Sequence, residues 1–207
     1  MSGPSNPPLT RREFVAAGVA GAGFATAAGI GAGALLDPDR AAAAAQSDAD
    51  VLRAILSIEL LAVFCYGQVL SAGKLGPEAE SLVRELLGHE QTHVDMMTGA
   101  LANLGQQPPS PPANVAAADA ELGVLHRTGR LGSLHTEQDG LRLLEQVESL
   151  AQGAYYTSMS KLTDLSLART CASILGAEAQ HYTALAALVH PGDINKAVPG
   201  AFVEGSR

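Results

Sequence analysis

The sequence contains no tryptophan and only two cysteines, and aromatic residues make up 4% of its 207 residues. Two cysteines are too few for a disulfide framework or for a zinc site built from paired Cys-x-x-Cys elements. Basic residues are also scarce: 13 Lys and Arg stand against 21 Asp and Glu, for a net charge of −8. Because phosphate binding needs a basic face, this balance argues against nucleic acid as a partner.

The N-terminus resembles a twin-arginine (Tat) export signal. Arg11 and Arg12 come before an uncharged run at 14–36, in which 15 of 23 residues are Ala or Gly. The alanines at 41–45 offer the small-residue site that a signal peptidase needs. We therefore expect residues 1–45 to be a Tat signal peptide, cleaved near Ala45.

Such a signal implies passage through the Tat translocase to an extracytoplasmic location, in the cell envelope or secreted. A retained membrane anchor is the alternative, because about 20 apolar residues can span a bilayer. A run so rich in Ala and Gly inserts weakly, which favours cleavage. We expect no other segment of the chain to cross a membrane.

The rest of the chain reads as an all-α domain over residues 46–190, with an irregular tail at 191–207. Apolar residues recur at three- and four-residue steps, with no convincing strand. About 32 residues, beginning with a proline-rich segment, separate the second helix from the third, and the other connections are short. This pattern predicts a four-helix bundle with one long crossover between helices two and three. The four helices are predicted at about 48–71, 77–104, 137–160 and 164–190.

An internal repeat carries the chemical information. Residues 87–93 in the second helix and 175–181 in the fourth both read L-G-x-E-x-x-H, at an offset of 88 residues. The first and third helices each contain a Glu followed seven residues later by a Tyr, at an offset of 89 residues. One E-x-x-H motif is expected roughly 0.3 times by chance in such a composition. Two in the same frame are therefore strong evidence.

Helical geometry explains the spacing. A step of three residues turns about 300° and rises about 4.5 Å, so the Glu and His of each motif emerge from one face. One Glu from each of two helices and Glu-x-x-His from the other two is the ligand set of di-iron and di-manganese bundles. Two divalent cations would balance four carboxylates, whose burial without metal would be costly. The predicted metal ligands are Glu59, Glu90, His93, Glu148, Glu178 and His181.

Other polar residues near these positions were weighed as rivals. Glu145 lies one turn before Glu148 on a similar face, but the repeat offset favours Glu148, so Glu145 is expected outside the ligand set. His89 could be an outer partner, although a solvated histidine is the favoured interpretation. The remaining histidines, at positions 126, 135 and 190, are expected to be solvated.

Four further residues repeat with the motif. Tyr66 and Tyr155 are candidate catalytic residues that would hydrogen-bond a ligand carboxylate or relay an electron; a core tyrosine with a satisfied hydroxyl is the alternative. Gly88 and Gly176 each cost about 1 kcal/mol in a helix interior. Their repetition predicts close packing beside the site.

These residues resemble the ferritin-like superfamily, which includes ferritins, bacterioferritins, rubrerythrins and manganese catalases. The resemblance covers about residues 48–190 and, in its Glu-x6-Tyr helices, extends to the bacterioferritin pattern. It implies that Glu90 and Glu178 bridge the two ions. The chain lacks the four cysteines of a rubredoxin domain, so it has no built-in electron donor. Nothing in the sequence indicates a cage, and an oligomer is left open.

The expected function is a redox metalloprotein with two iron or two manganese ions. Two such ions can together deliver two electrons to O₂ or peroxide, which favours Fe²⁺ oxidation or peroxide disposal. The alternatives are a non-catalytic metal-binding envelope or stress protein, and a manganese-catalase-like enzyme. Glu and His ligands suit both metals, so the sequence does not choose between them.

The bundle topology also predicts the state of the two cysteines. With helices one and four parallel, Cys65 and Cys171 lie about 20 Å apart along the bundle axis. A disulfide needs Cα atoms closer than about 7 Å. Both thiols are therefore expected to be free.

Overall fold

The computed structural model describes residues 38–128 and 130–198, and these are helical with no strand. The predicted all-α class is confirmed, and each of the four predicted helices is present. Residues 1–37 of the signal expected at 1–45 lie outside the described part, as do the last residues, 199–207. The long helices are α1 (Pro38–Ser71), α2 (Pro77–Asn103), α4 (Glu137–Met159) and α5 (Leu165–Val189), and the short ones are α3 (Val115–Val124) and α6 (Ile194–Ala197).

Local chemistry fixes the helix starts. Pro77 occupies the first turn of α2, where its missing N–H is not needed. Thr136 and Asp139 form a capping box at the start of α4, each side chain bonding the other residue's backbone N–H. Asp164 caps the start of α5, where its side chain accepts bonds from the backbone N–H groups of Ser166 and Leu167.

Helix α1 begins about ten residues earlier than predicted. The segment that precedes Asp48 is rich in alanine, the residue with the highest helix propensity, so the helix extends back through it to Pro38. The stretch Ala41–Ser71 is long and apolar enough to cross a membrane by composition, contrary to the expectation that no second segment would be. Its buried face carries Asp48 and Glu59 into the bundle, as expected for the core helix of a bundle.

Contacts at helix starts identify two parallel pairs. The backbone N–H of Gly76, just before α2, donates to the carboxylate of Glu137 at the start of α4. Asp48, near the start of α1, accepts bonds from the backbone N–H and hydroxyl of Thr163, just before α5. Therefore α2 is parallel to α4, and α1 is parallel to α5.

Contacts between opposite helix ends identify the antiparallel pairs. Arg53, in the N-terminal half of α1, donates to the side chain of Gln106, which follows α2. Gln138, early in α4, donates to the carbonyl of Leu188 near the end of α5, at 3.2 Å. Two antiparallel hairpins joined so that α2 and α4 run parallel is the one-crossover topology, and this prediction is confirmed.

The two connecting regions contain structure that the sequence analysis missed. The crossover folds into α3, capped by Asn114, and a 3₁₀ turn, Leu131–Ser133. Asp119 of α3 holds that turn by accepting the backbone N–H of Leu131 at 2.7 Å. The tail was expected to be irregular, but Ile194–Ala197 forms one helical turn, which buries Ala197.

The apolar core is divided into two clusters. We call the one beside the crossover the crossover cluster; it includes Leu61, Tyr66, Val83, Leu144 and Leu185. The other, the distal cluster, includes Leu52, Ile55, Met97, Tyr155 and Ile174.

The cysteines lie in different clusters. Cys65 belongs to the crossover cluster and Cys171 to the distal cluster. Both are buried and free, as predicted. Burial raises the pKa of Cys65 to about 12 and that of Cys171 to about 11, so both remain thiols.

Asp48→Ala should destabilise the bundle. The Asp48 carboxylate is 3% exposed and accepts three bonds from Thr163 and Asp164. Removing it deletes three hydrogen bonds to a buried, charged acceptor, so the free energy of unfolding should fall by about 2 kcal/mol, as measured by urea denaturation. The matched control is Asp50→Ala. Its side chain is 64% exposed and bonds only the nearby side chains of Arg53 and Gln46 on the same helix, so the change should stay below about 0.5 kcal/mol. Equal losses in both variants would contradict this role for Asp48.

Candidate metal centre

A polar layer lies between the two apolar clusters. Going along each long helix, residues of one cluster give way to charged residues and then to residues of the other cluster. The four glutamates of the layer are 0% exposed, and its histidines are 6% and 3% exposed. The structure thus brings together all six residues that the repeat singles out: Glu59, Glu90, His93, Glu148, Glu178 and His181.

The six side chains form two overlapping groups, each with ligand atoms within 4.8 Å of one another. Glu59 and His93 belong to one group, and Glu148 and His181 to the other. Glu90 and Glu178 belong to both groups. The arrangement could therefore hold metal, with Glu90 and Glu178 shared between the two groups.

The carboxylate oxygens of Glu90 and Glu178 are divided between the two ligand groups. For Glu90, Oε1 lies 2.9 Å from Nδ1 of His181, and Oε2 lies 3.8 Å from Nδ1 of His93. For Glu178, Oε1 lies 2.8 Å from Nδ1 of His93, and Oε2 lies 3.7 Å from Nδ1 of His181. Each of these carboxylates therefore presents one oxygen to each group.

The polar atoms of the centre lack hydrogen-bond partners among the described residues. Nδ1 of both histidines, both oxygens of Glu90 and Glu178, and Oε2 of Glu59 and Glu148 are buried without one. Some of these atoms approach one another closely, but not in hydrogen-bonding directions. Buried polar atoms are rarely left in this state. Convergent oxygen and nitrogen atoms of this kind fit divalent iron or manganese.

The two tyrosines bond the outer carboxylates across the bundle. The hydroxyl of Tyr66 donates to Oε1 of Glu148, and that of Tyr155 donates to Oε1 of Glu59. Burial, with the adjacent carboxylate, raises the pKa of each phenol well above its ordinary value, so both remain donors. In each glutamate the Oε1 atom is thereby engaged and Oε2 is left facing the centre.

Burial and mutual charge set the protonation of the glutamates. For Glu59 and Glu148, burial and then the charges of Glu90 and Glu178 raise the pKa well above its ordinary value. Burial acts in the same direction on Glu90 and Glu178. There the nearby rings of His181 and His93 outweigh it and lower the pKa, to about 2 for Glu178.

The pKa values of the two histidines shift in the opposite direction to those of Glu90 and Glu178. Burial alone would lower the pKa of each ring, but the carboxylates around it dominate. They raise the pKa of His93 to about 9 and that of His181 to about 12. Without metal, the shifts favour the protonated forms of Glu59, Glu148, His93 and His181 and the ionised forms of Glu90 and Glu178.

Comparison with known proteins agrees with this geometry. The family model of the ferritin-like domain matches residues 47–191, most of the chain. The chain belongs to the ferritin-like family. No curated protein matches the chain. Membership accounts for the fold and for a buried carboxylate and histidine cluster that could hold metal.

The ferritin-like centre has an outer contact that the sequence analysis undervalued. His89 was interpreted as a solvated residue, and its side chain is exposed, but its Nδ1 also lies 3.0 Å from Nε2 of His181 and the two rings are stacked. The signal was present in the sequence, since His89 stands one residue before Glu90. Its contact with a different helix, however, depends on the packing of α2 against α5.

Two other expectations change. Glu145 lies outside both ligand groups, as predicted, but it contacts His190 at 3.4 Å, so that histidine is not simply solvated. The expected close packing at Gly88 and Gly176 is wrong, because a Cβ at either position would meet no atom within 4 Å. Nothing in the structure explains why glycine occurs at these two positions.

Metal binding at pH 7 should release about four protons for two divalent ions. Ligation needs neutral imidazole and ionised carboxylate. One proton must therefore leave each of Glu59, Glu148, His93 and His181, whose pKa values are all raised. Affinity should consequently rise with pH, since fewer protons compete.

Calorimetric titration with Mn²⁺ in buffers of different ionisation enthalpy measures the number of protons released. Glu145→Gln is the matched control. It changes a glutamate outside the centre on the same helix and should leave the count unchanged. Release of one proton or none in the unchanged protein would contradict the assigned protonation.

Proposed function

We propose that this ferritin-like protein holds two iron or two manganese ions and uses them to oxidise Fe²⁺ or to consume O₂ or peroxide. The observation that carries the proposal is the set of eight buried nitrogen and oxygen atoms without hydrogen-bond partners, shared by six side chains. Two divalent cations would satisfy these atoms and neutralise four ionised carboxylates.

Each protein group has a distinct role in this proposal. Glu59 and His93 hold one ion, and Glu148 and His181 hold the other. Glu90 and Glu178 lie between the ions, as their membership of both groups suggests. When bound, the two metals supply reversible one-electron changes at adjacent positions, so two electrons are available together.

The tyrosines and the apolar clusters support the centre. Tyr66 and Tyr155 fix the outer carboxylates, since each hydroxyl bonds one carboxylate oxygen. A second role as electron relays follows from their position beside these carboxylates. The clusters on either side exclude water from the layer and so strengthen its electrostatic interactions.

Glu90→Ala and His181→Ala should each remove at least one ion. Glu90→Ala should remove more metal than His181→Ala, because both ligand groups contain Glu90. The apolar clusters should keep the helical content largely intact by circular dichroism. Metal content is measured by mass spectrometry, alongside O₂ and H₂O₂ consumption with Fe²⁺ or a reductant.

Glu85→Ala, an exposed change on the same helix as Glu90, is the control and should keep two ions. Full occupancy in both centre variants would refute the assignment of the site. Two bound ions without turnover would instead favour the non-catalytic metal-binding alternative. Rapid conversion of H₂O₂ to O₂ by the manganese form would favour the catalase-like alternative.

We also propose that the protein is exported by the Tat route after its metal is loaded. Support comes from the Arg11–Arg12 pair before the apolar run at 14–36. The Tat route carries folded proteins, so the centre could be filled where the Fe²⁺ or Mn²⁺ supply is controlled. A Glu and His site exposed to mixed metals would otherwise favour copper or zinc.

Replacing Arg11 and Arg12 with Lys should block export and leave metal-loaded precursor in the cytoplasm. Cell fractionation with metal analysis of each fraction measures this. The same bundle rerouted through general secretion should carry zinc or copper, or no metal. Equal iron or manganese loading after rerouting would refute loading before export, while the centre itself would stand.

A further inference from the structure

The two halves of the repeat differ at one position that touches the centre. In L-G-x-E-x-x-H, the variable residue before the Glu is His89 in α2 and Ala177 in α5. An imidazole can hydrogen-bond a neighbouring ring, whereas a methyl group cannot. The two halves are therefore chemically unequal directly beside the ligands.

His89 contacts the outward nitrogen of His181. Nδ1 of His181 faces the centre, 2.9 Å from Oε1 of Glu90. Its Nε2 faces away and lies 3.0 Å from Nδ1 of His89. The ring centroids are 5.2 Å apart with an interplanar angle of 22°, so the two rings are stacked as well.

His93 has no such partner. Its Nδ1 faces the centre, 2.8 Å from Oε1 of Glu178. Within the described ranges, no protein group hydrogen-bonds its Nε2. The position in α5 that corresponds to His89 is Ala177, which has no polar side-chain atom. One ligand histidine thus has an outer hydrogen bond and the other lacks one.

We propose that His89 is a positioning residue that makes the two metal positions unequal. With Nδ1 on the ion, Nε2 of His181 carries the proton and donates it to Nδ1 of His89. This bond fixes the orientation of the His181 ring before the ion arrives and its tautomer once Nδ1 is bound to the ion. Outer partners of this kind are typically worth about 10- to 100-fold in metal affinity.

The consequence is ordered filling. The position formed by Glu90, Glu148, Glu178 and His181 takes the first ion, and the position containing Glu59 and His93 takes the second. The inference rests on the proposed dinuclear centre and adds to it that the two ions bind with different affinities. The repeat does not imply this difference, because the ligand residues that it contains are the same in both halves.

Zinc is a suitable probe because it is diamagnetic and binds the same ligand types. Full-length protein with ¹⁵N-labelled histidine is titrated with Zn²⁺, and NMR reports the ring nitrogens of His93 and His181 separately. At one equivalent, His181 should show a metal-bound Nδ1 and a protonated Nε2, while His93 stays metal-free. The two dissociation constants should differ by about 10- to 100-fold.

His89→Ala should remove this preference, so that the first equivalent distributes over both histidines. His89→Asn is the matched variant, because its Oδ1 occupies about the place of Nδ1 and can still accept the proton. The Asn variant should retain most of the preference for His181. If the His89 ring acted only through its shape, the Asn variant would lose the preference as the Ala variant does. His135→Ala, an exposed histidine outside the centre, should behave as the unchanged protein.

Three results would overturn the inference. The first is filling of the His93 position before the His181 position. The second is an unchanged preference for the His181 position in His89→Ala. The third is an equal loss of that preference in the Ala and Asn variants. Two zinc ions bound without preference would refute the inference and leave the proposed centre intact. Absence of zinc binding in the unchanged protein would refute the centre itself.

Discussion

The burial of four carboxylates in one layer is the constraint on which the rest of the structure depends. Ionised carboxylates in an apolar interior are costly unless opposite charges and hydrogen bonds surround them. In the protein alone, the raised pKa values of two carboxylates and of both histidines favour their protonation, which lowers the net negative charge of the layer. A pair of divalent cations performs the same task with all four ionised. The apolar clusters on either side keep the bundle folded around this layer.

The hairpin repeat stabilises the layer by exchange of partners between its halves. Tyr66 of the first hairpin bonds Glu148 of the second, and Tyr155 of the second bonds Glu59 of the first. This exchange works because α1 and α4 are antiparallel, so a tyrosine seven residues beyond its own glutamate reaches the level of the other one. The same spacing in both halves thus ties them together. The losses in free energy of unfolding caused by substituting these four residues should therefore not be additive.

The approximate symmetry of the layer does not extend to its surroundings. His89 extends one side of the centre toward solvent, while Ala177 leaves the other side without an outer partner. The crossover adds a further difference, because α3 packs Ala118 and Leu122 into one cluster alone. In the proposed centre, a fold built from two similar hairpins would in this way hold two ions in different environments. Such a difference is useful when one ion remains bound while the other exchanges or reacts.

The sequence by itself determined the four long helices, the crossover and the six residues of the layer. Each of these rests on local periodicity or on a repeat of fixed spacing, which helical geometry converts directly into shared faces. Tertiary structure alone decided the tyrosine partners, the contact of His89 with His181 and the helix in the crossover. Those depend on how far one helix is shifted along another, which no spacing within a single helix encodes. The glycine expectation was wrong for the same reason, since only packing decides whether a neighbouring element approaches Gly88 or Gly176.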